Sequence, residues 1–133
     1  VDTRAGNLTV NGTNARLDLT TMGGNISADD VGGTRANTMG GNVTLGAVRG
    51  DTWIHSGGGN IQVGQSQGRA EVSTAGGNIT VSSMASGALQ TGAGSIGIGQ
   101  SRGDLSAITA GGSVEVNEVQ GKATLRWVSV CRV

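Results

Sequence analysis

The sequence predicts an all-β fold, a single-domain parallel β-solenoid of about seven coils of 17–18 residues, with the right-handed β-helix favoured. Three observations carry this expectation. A short phrase recurs at almost constant spacing along the chain. Apolar residues alternate with polar ones at period two, without a sustained 3.6-residue stripe. Glycine accounts for 26 of 133 residues while proline is absent, so bends between short strands must come from glycine.

The phrase is Thr-x-Gly-Gly-Asn-Ile. It stands at Thr21–Ile26, Thr38–Val43, Ser56–Ile61 and Thr74–Ile79, with weaker copies at Thr3–Leu8, Thr91–Ile96 and Thr109–Val114. Its anchors, Asn7, Asn25, Asn42, Asn60, Asn78, Ser95 and Ser113, are 17 or 18 residues apart. A second glycine follows most anchors (Gly33, Gly50, Gly68, Gly103 and Gly121, with Gly87 displaced by one) and divides each unit into two alternating runs. These glycines are expected to supply positive φ at the bends.

Stacked in register, the units align like with like. Leu8, Ile26, Val43, Ile61, Ile79, Ile96 and Val114 form one aliphatic column, and Val10, Ala28, Leu45, Val63, Val81, Ile98 and Val116 a second. Leu19, Ala36, Ile54, Val72, Leu89 and Ala107 form a third. Thr3, Thr21, Thr38, Ser56, Thr74, Thr91 and Thr109 make a hydroxyl column that bonds the turn, and the anchors make an amide turn ladder suited to left-handed backbone and stacked amides. A single coil buries too few aliphatics to offset the entropy of ordering it, so coils must share ladders with neighbours. Inward positions follow no hexapeptide rule, which disfavours the left-handed β-helix, and parallel crossovers prefer the right hand.

Composition narrows the function classes. Nine basic against nine acidic residues give zero net charge, which argues against nucleic-acid binding and a polybasic membrane anchor and eases self-association. Cys131 is the only cysteine, excluding an intrachain disulfide and a cysteine-based zinc site. No apolar run suits a membrane-spanning helix, so no direct membrane insertion is expected. With no signal-like segment at Val1, the chain reads as a processed product or a piece of a longer one.

Chemistry-bearing residues are sparse. Asp29-Asp30 is expected in a turn and the other acids, Asp51, Glu71, Asp104, Glu115 and Glu118, lie in other coils, whereas sugar cleavage needs paired carboxylates. His55 lies beside Ser56 with no acid fixed nearby by the repeat. Arg16, Asp51, Arg69, Asp104 and Lys122 share a column, which suggests exposed cross-strand ion pairs. Gly57-Gly58-Gly59 lacks the following helix of a phosphate cradle. No unit carries the acid of a calcium-binding Gly-Gly-x-Gly-x-Asp roll. The outward row Thr9, Ser27, Thr44, Gln62, Thr80, Gly97 and Glu115 is too irregular for an ice-binding array. The expectation is no enzyme, no cofactor and no metal.

The Gly-Gly-Asn-Ile units followed by Val-x-Gly turns resemble the bacterial adhesin β-strand-repeat domain family, related to head-GIN type adhesins, from about Thr3 to Leu125. That resemblance implies a β-solenoid in exported or membrane-tethered bacterial proteins, and it carries no catalytic residue.

The repeats span residues 1–126, and residues 127–133 form a divergent tail. There Trp127 takes the threonine position, Ser129-Val130 replaces Gly-Gly, and the eighth anchor falls near Cys131. The tail either covers the last coil or pairs with the first coil of another subunit, an arrangement that propagates when it does not close. Its candidate assembly residues are Trp127, Val128, Val130, Cys131 and Val133 against Val1, Thr3, Leu8 and Val10; Cys131 is either a free thiol or an intersubunit disulfide. The leading expectation is an extracellular or cell-surface structural protein, stacked head to tail as a homopolymer into a filament or matrix. The alternative is a monomeric adhesin or stalk presenting a lateral face, with Trp53 outward, to a surface receptor or glycan. No nucleic-acid partner is expected.

Overall fold

The chain is an all-β parallel solenoid of about six turns. The computed structural model describes the backbone of residues 2–3, 7–126 and 130–132, and the side chains of 7–12, 18–122 and 124. The strands are β1 (Asp2–Thr3), β2 (Leu8–Thr21), β3 (Ile26–Thr38), β4 (Val43–Val48), β5 (Thr52–Ser56) and β6 (Ile61–Thr74). They continue as β7 (Ile79–Thr91), β8 (Ile96–Ser101), β9 (Leu105–Thr109), β10 (Ser113–Val119), β11 (Ala123–Arg126) and β12 (Val130–Arg132). Every strand pair is parallel, because each strand lies on its counterpart one coil away.

Two flat faces alternate along each coil. The anchor face follows the Asn or Ser position, where Leu8, Ile26, Val43, Ile61, Ile79, Ile96 and Val114 pair in sequence. The opposite stretch, named here for Trp53, stacks Leu19, Ala36, Ile54, Val72, Leu89 and Ala107. The inward residues of both faces from Leu19 to Val116 are buried in one core. This burial is the main stabilising term of a fold that has no other layer.

Two further inward columns lie between the expected ones. Val31, Val48, Ser66, Met84, Ser101 and Val119 line one corner, and Thr34, Thr52, Ala70, Gly87 and Leu105 begin the Trp53 face. Their changing chemistry hides them from a search for like residues. Ser66 and Ser101 donate their hydroxyls to the Gly68 and Gly103 carbonyls at 3.3 and 3.2 Å, satisfying themselves within their own corner. Met84 lies between them in the ladder, where its long flexible side chain fills the space two short serines leave. A Cβ at Gly87 would overlap both the Ala70 carbonyl one coil earlier and the Met84 methyl, so the displaced glycine answers to close backbone approach as well as to that methionine.

The same corner explains the two coil lengths. Three residues separate Val48 from Thr52 and Ser66 from Ala70, but only two separate Val31 from Thr34 and Met84 from Gly87. The register accordingly shifts between Ser66 and Arg69. A one-residue change at an exposed corner leaves both faces aligned, whereas inside a strand it would turn every side chain over.

The glycine expectation needs correction. Among the described residues positive φ occurs only at Gly12 and Asp30, not at the repeat corners. There the second glycine of each pair is required by close approach: a Cβ at Gly41, Gly59, Gly77, Gly94 or Gly112 would overlap the carbonyl of the corresponding glycine one coil earlier. The first glycine of the pair faces open space at Gly23, Gly40, Gly58 and Gly76, which is why alanine serves at Ala93.

Candidate interaction surface

Corner chemistry sets the coils' alignment and therefore the layout of the outer faces. Each hydroxyl of the column from Thr21 to Thr109 is buried and accepts the N–H of the glycine three residues on, for example Gly41 to Thr38 at 3.1 Å and Gly59 to Ser56 at 3.1 Å. Thr91 and Thr109 also donate to the Gly77 and Gly94 carbonyls of the preceding coil, both at 3.0 Å. One side chain therefore closes its own turn and ties it to its neighbour.

The anchors act in the same way. Asn7, Asn25, Asn42, Asn60 and Asn78 each present Oδ1 to the backbone N–H of the next anchor at 2.9–3.0 Å. The amides bridge coil to coil as expected, but as acceptors for backbone donors and without left-handed backbone. Asp51 and Asp104 repeat the device at the other corner, accepting the N–H groups of Arg69 and Lys122 at 3.1 Å. This replaces the cross-strand ion pairs expected for their column.

The remaining acids are not brought together. Asp30 pairs with Arg49 at 2.8 Å, Glu118 accepts from the Gln100 amide at 3.3 Å, and Asp29, Glu71 and Glu115 are exposed. Among the described residues there is no group of three potential metal ligands and no helix long and apolar enough to cross a membrane.

The outer faces differ. The anchor face exposes Thr9, Ser27, Thr44, Gln62 and Thr80. On the other face Arg35, Trp53 and Glu71 are consecutive rungs, beside the rungs Asn37, His55 and Ser73. Trp53 points outward, as expected from its place before inward Ile54, and is half-buried. The Arg35 guanidinium carbon lies 4.7 Å from its ring centroid, a cation–π contact. The His55 ring stacks 6.1 Å away at 17°. Met22, Met39 and Ile108, the exposed large hydrophobics among the described residues, all border this same face. Beside His55 opens a groove of about 520 Å³ that includes Ser73, Ala75, Gln90, Gly92 and Ile108 in its lining.

Of the candidate assembly residues, Val1, Trp127, Val128 and Val133 lie outside the described residues, as do the side chains of Thr3, Val130 and Cys131. The backbone of β12 pairs with β10 through Ser113↔Val130, Val114↔Cys131 and Glu115↔Arg132, so Val130 and not Cys131 stands at the eighth anchor position, a correction of one residue to the expected register; β1 pairs with β2 through Thr3↔Thr21. Leu8 and Val10 are half-buried against the core.

No family model, curated protein or solved structure matches this chain.

Proposed function

We propose that the chain is a non-enzymatic structural element, an extracellular or cell-surface solenoid whose coils stack head to tail with those of further copies into a filament or matrix. The supporting observation is the ladder at β12. It still runs in the repeat's register, with Cys131 over Val114, so its free edge repeats the edge that each coil presents to the next. An unpaired parallel edge recruits another strand, and a heterologous contact of this kind propagates. Trp127 to Val133 and the first coil, with Val1, Thr3, Leu8 and Val10, are the two halves of this junction.

Negative-stain electron microscopy of the purified chain across a concentration series tests the proposal. Thin uniform fibres, lost on removing Trp127–Val133, are the expected result. Particles that stay monomeric at every concentration, or fibres unchanged by the truncation, would overturn it.

A second reading rests on the face around Trp53. A monomeric adhesin or stalk, in keeping with the adhesin resemblance, would hold a surface receptor or glycan there. Saccharide binding that Trp53→Ala abolishes, by a chain that remains monomeric, is its signature.

A further inference from the structure

The surface around Trp53 is complementary to itself. Along the solenoid axis its central rungs read Arg35, Trp53 and Glu71, placing a cation one coil before the tryptophan and an anion one coil after it. Among the described residues neither Arg35 nor Glu71 enters an ion pair, and both side chains are exposed. At the border of the face the corner positions read Met22, Met39, Gly57, Ala75 and Gly92, each following the hydroxyl column. Bulk is therefore concentrated before the Trp53 coil and space after it. Met22 and Met39 are 54% and 64% exposed, whereas Ala75 and Gly92 line the groove of about 520 Å³.

A twofold axis parallel to β5, lying between two such faces, turns both gradients to account. It brings Trp53 over Trp53, each Arg35 over the other copy's Glu71, Met39 over Ala75, and Met22 over Gly92. Projecting methionines meet a groove, and each cation meets an anion. The other simple twofold, along the solenoid axis, would oppose Arg35 to Arg35 and Glu71 to Glu71, so charge selects the antiparallel arrangement.

We infer that this face binds a second copy of the chain, forming an antiparallel lateral pair centred on Trp53. The inference goes beyond end-to-end stacking and does not rest on it, because the end coils take no part. It gives the tryptophan a role that the solenoid's own packing does not require. A face roughly 17 Å wide and about 25–30 Å long buries on the order of 1,000 Å² in total, near the lower limit for a specific interface. Because opposite charges meet across it, salt weakens the pair.

Sedimentation equilibrium of the wild-type chain, R35E, E71R and an equimolar mixture of the two variants tests the pairing, with circular dichroism confirming that each variant folds. Where chains also stack end to end, the same samples are read by microscopy as paired or single rods. Each variant alone places like charges together at both ends of the interface and should weaken pairing at least tenfold. The mixture restores Glu–Arg contacts on both sides and should recover wild-type affinity. Ala75→Trp, which fills the groove without changing charge, should also block pairing. The inference is overturned if the variants associate as tightly as wild type, or if the mixture stays as weak as its components. It is equally overturned if the wild-type chain remains monomeric to millimolar concentration, including a case in which that monomer binds a saccharide at Trp53. Loss of lateral pairs with fibres intact, or of fibres with pairs intact, separates this inference from the end-stacking proposal.

Discussion

The anchor face and the Trp53 face have equivalent interiors and different exteriors. Inward, both stack aliphatic residues one above another, and exposure from Leu19 to Val116 is at most 3%. Outward, the anchor-face row runs through small hydroxyls and glutamine to Gly97 and Glu115. The opposite face carries a cation, an indole and an anion on successive rungs. A solenoid interior must repeat because each inward side chain packs on its counterpart about 4.8 Å away. The exterior is under no such requirement, so its residues are free to vary from coil to coil.

The comparison predicts a graded set of effects, read as changes in urea-unfolding free energy. The largest is at the corner joining the Trp53 face to the anchor face. Gly77→Ala puts a methyl group into the Gly59 carbonyl and should cost more than about 3 kcal/mol. Gly76→Ala, facing open space, should leave stability within about 1 kcal/mol of wild type. Equal losses would refute close approach as the reason for the second glycine.

Next come the interiors. Ile54→Val on the Trp53 face and Ile61→Val on the anchor face each remove one buried methylene and should each cost about 1 kcal/mol. A large difference between them would show that the two interiors are not equivalent. Thr52→Val is expected to act in the opposite direction. Among the described residues the buried Thr34 and Thr52 hydroxyls find no hydrogen-bond partner, on adjacent rungs of one column, so an isosteric apolar side chain at Thr52 should stabilise by about 1 kcal/mol. The exteriors differ least in stability and most in association. Thr44→Ala should change stability by less than about 0.5 kcal/mol, while Trp53→Ala should cost about 1 kcal/mol through lost apolar contact and the Arg35 cation–π interaction. Of these two variants Trp53→Ala alone should alter lateral pairing, as measured by sedimentation.

Particular residues show how far the repeat could be read. The columns starting at Leu8, Val10 and Leu19 were legible because their members are alike and alternate with polar neighbours. The column through Val31, Ser66, Met84 and Ser101 was not, because methionine compensates for serine across coils and that exchange is visible only when the coils are stacked. The turn residues were found, but with a different cause. Glycine was read as a local conformational choice and asparagine as left-handed backbone or a stack of amides, whereas Gly77 answers to a carbonyl of another coil and Asn60 to another coil's backbone N–H. The candidate surface was legible only as outward Trp53. Its Arg35 cover, the flanking methionines and the groove depend on which residues lie 17 or 18 positions away.

Sequence alone determined the all-β stacked architecture, the coil length, three aliphatic columns and the outward direction of Trp53. Strand periodicity and a constant repeat leave one way to bury the apolar residues. Only the tertiary structure decided the use of close-approach glycines, the side chain-to-backbone ladders and the contrast between the faces. Those features are contacts between coils, and their partners are set by the rung on which each residue lies.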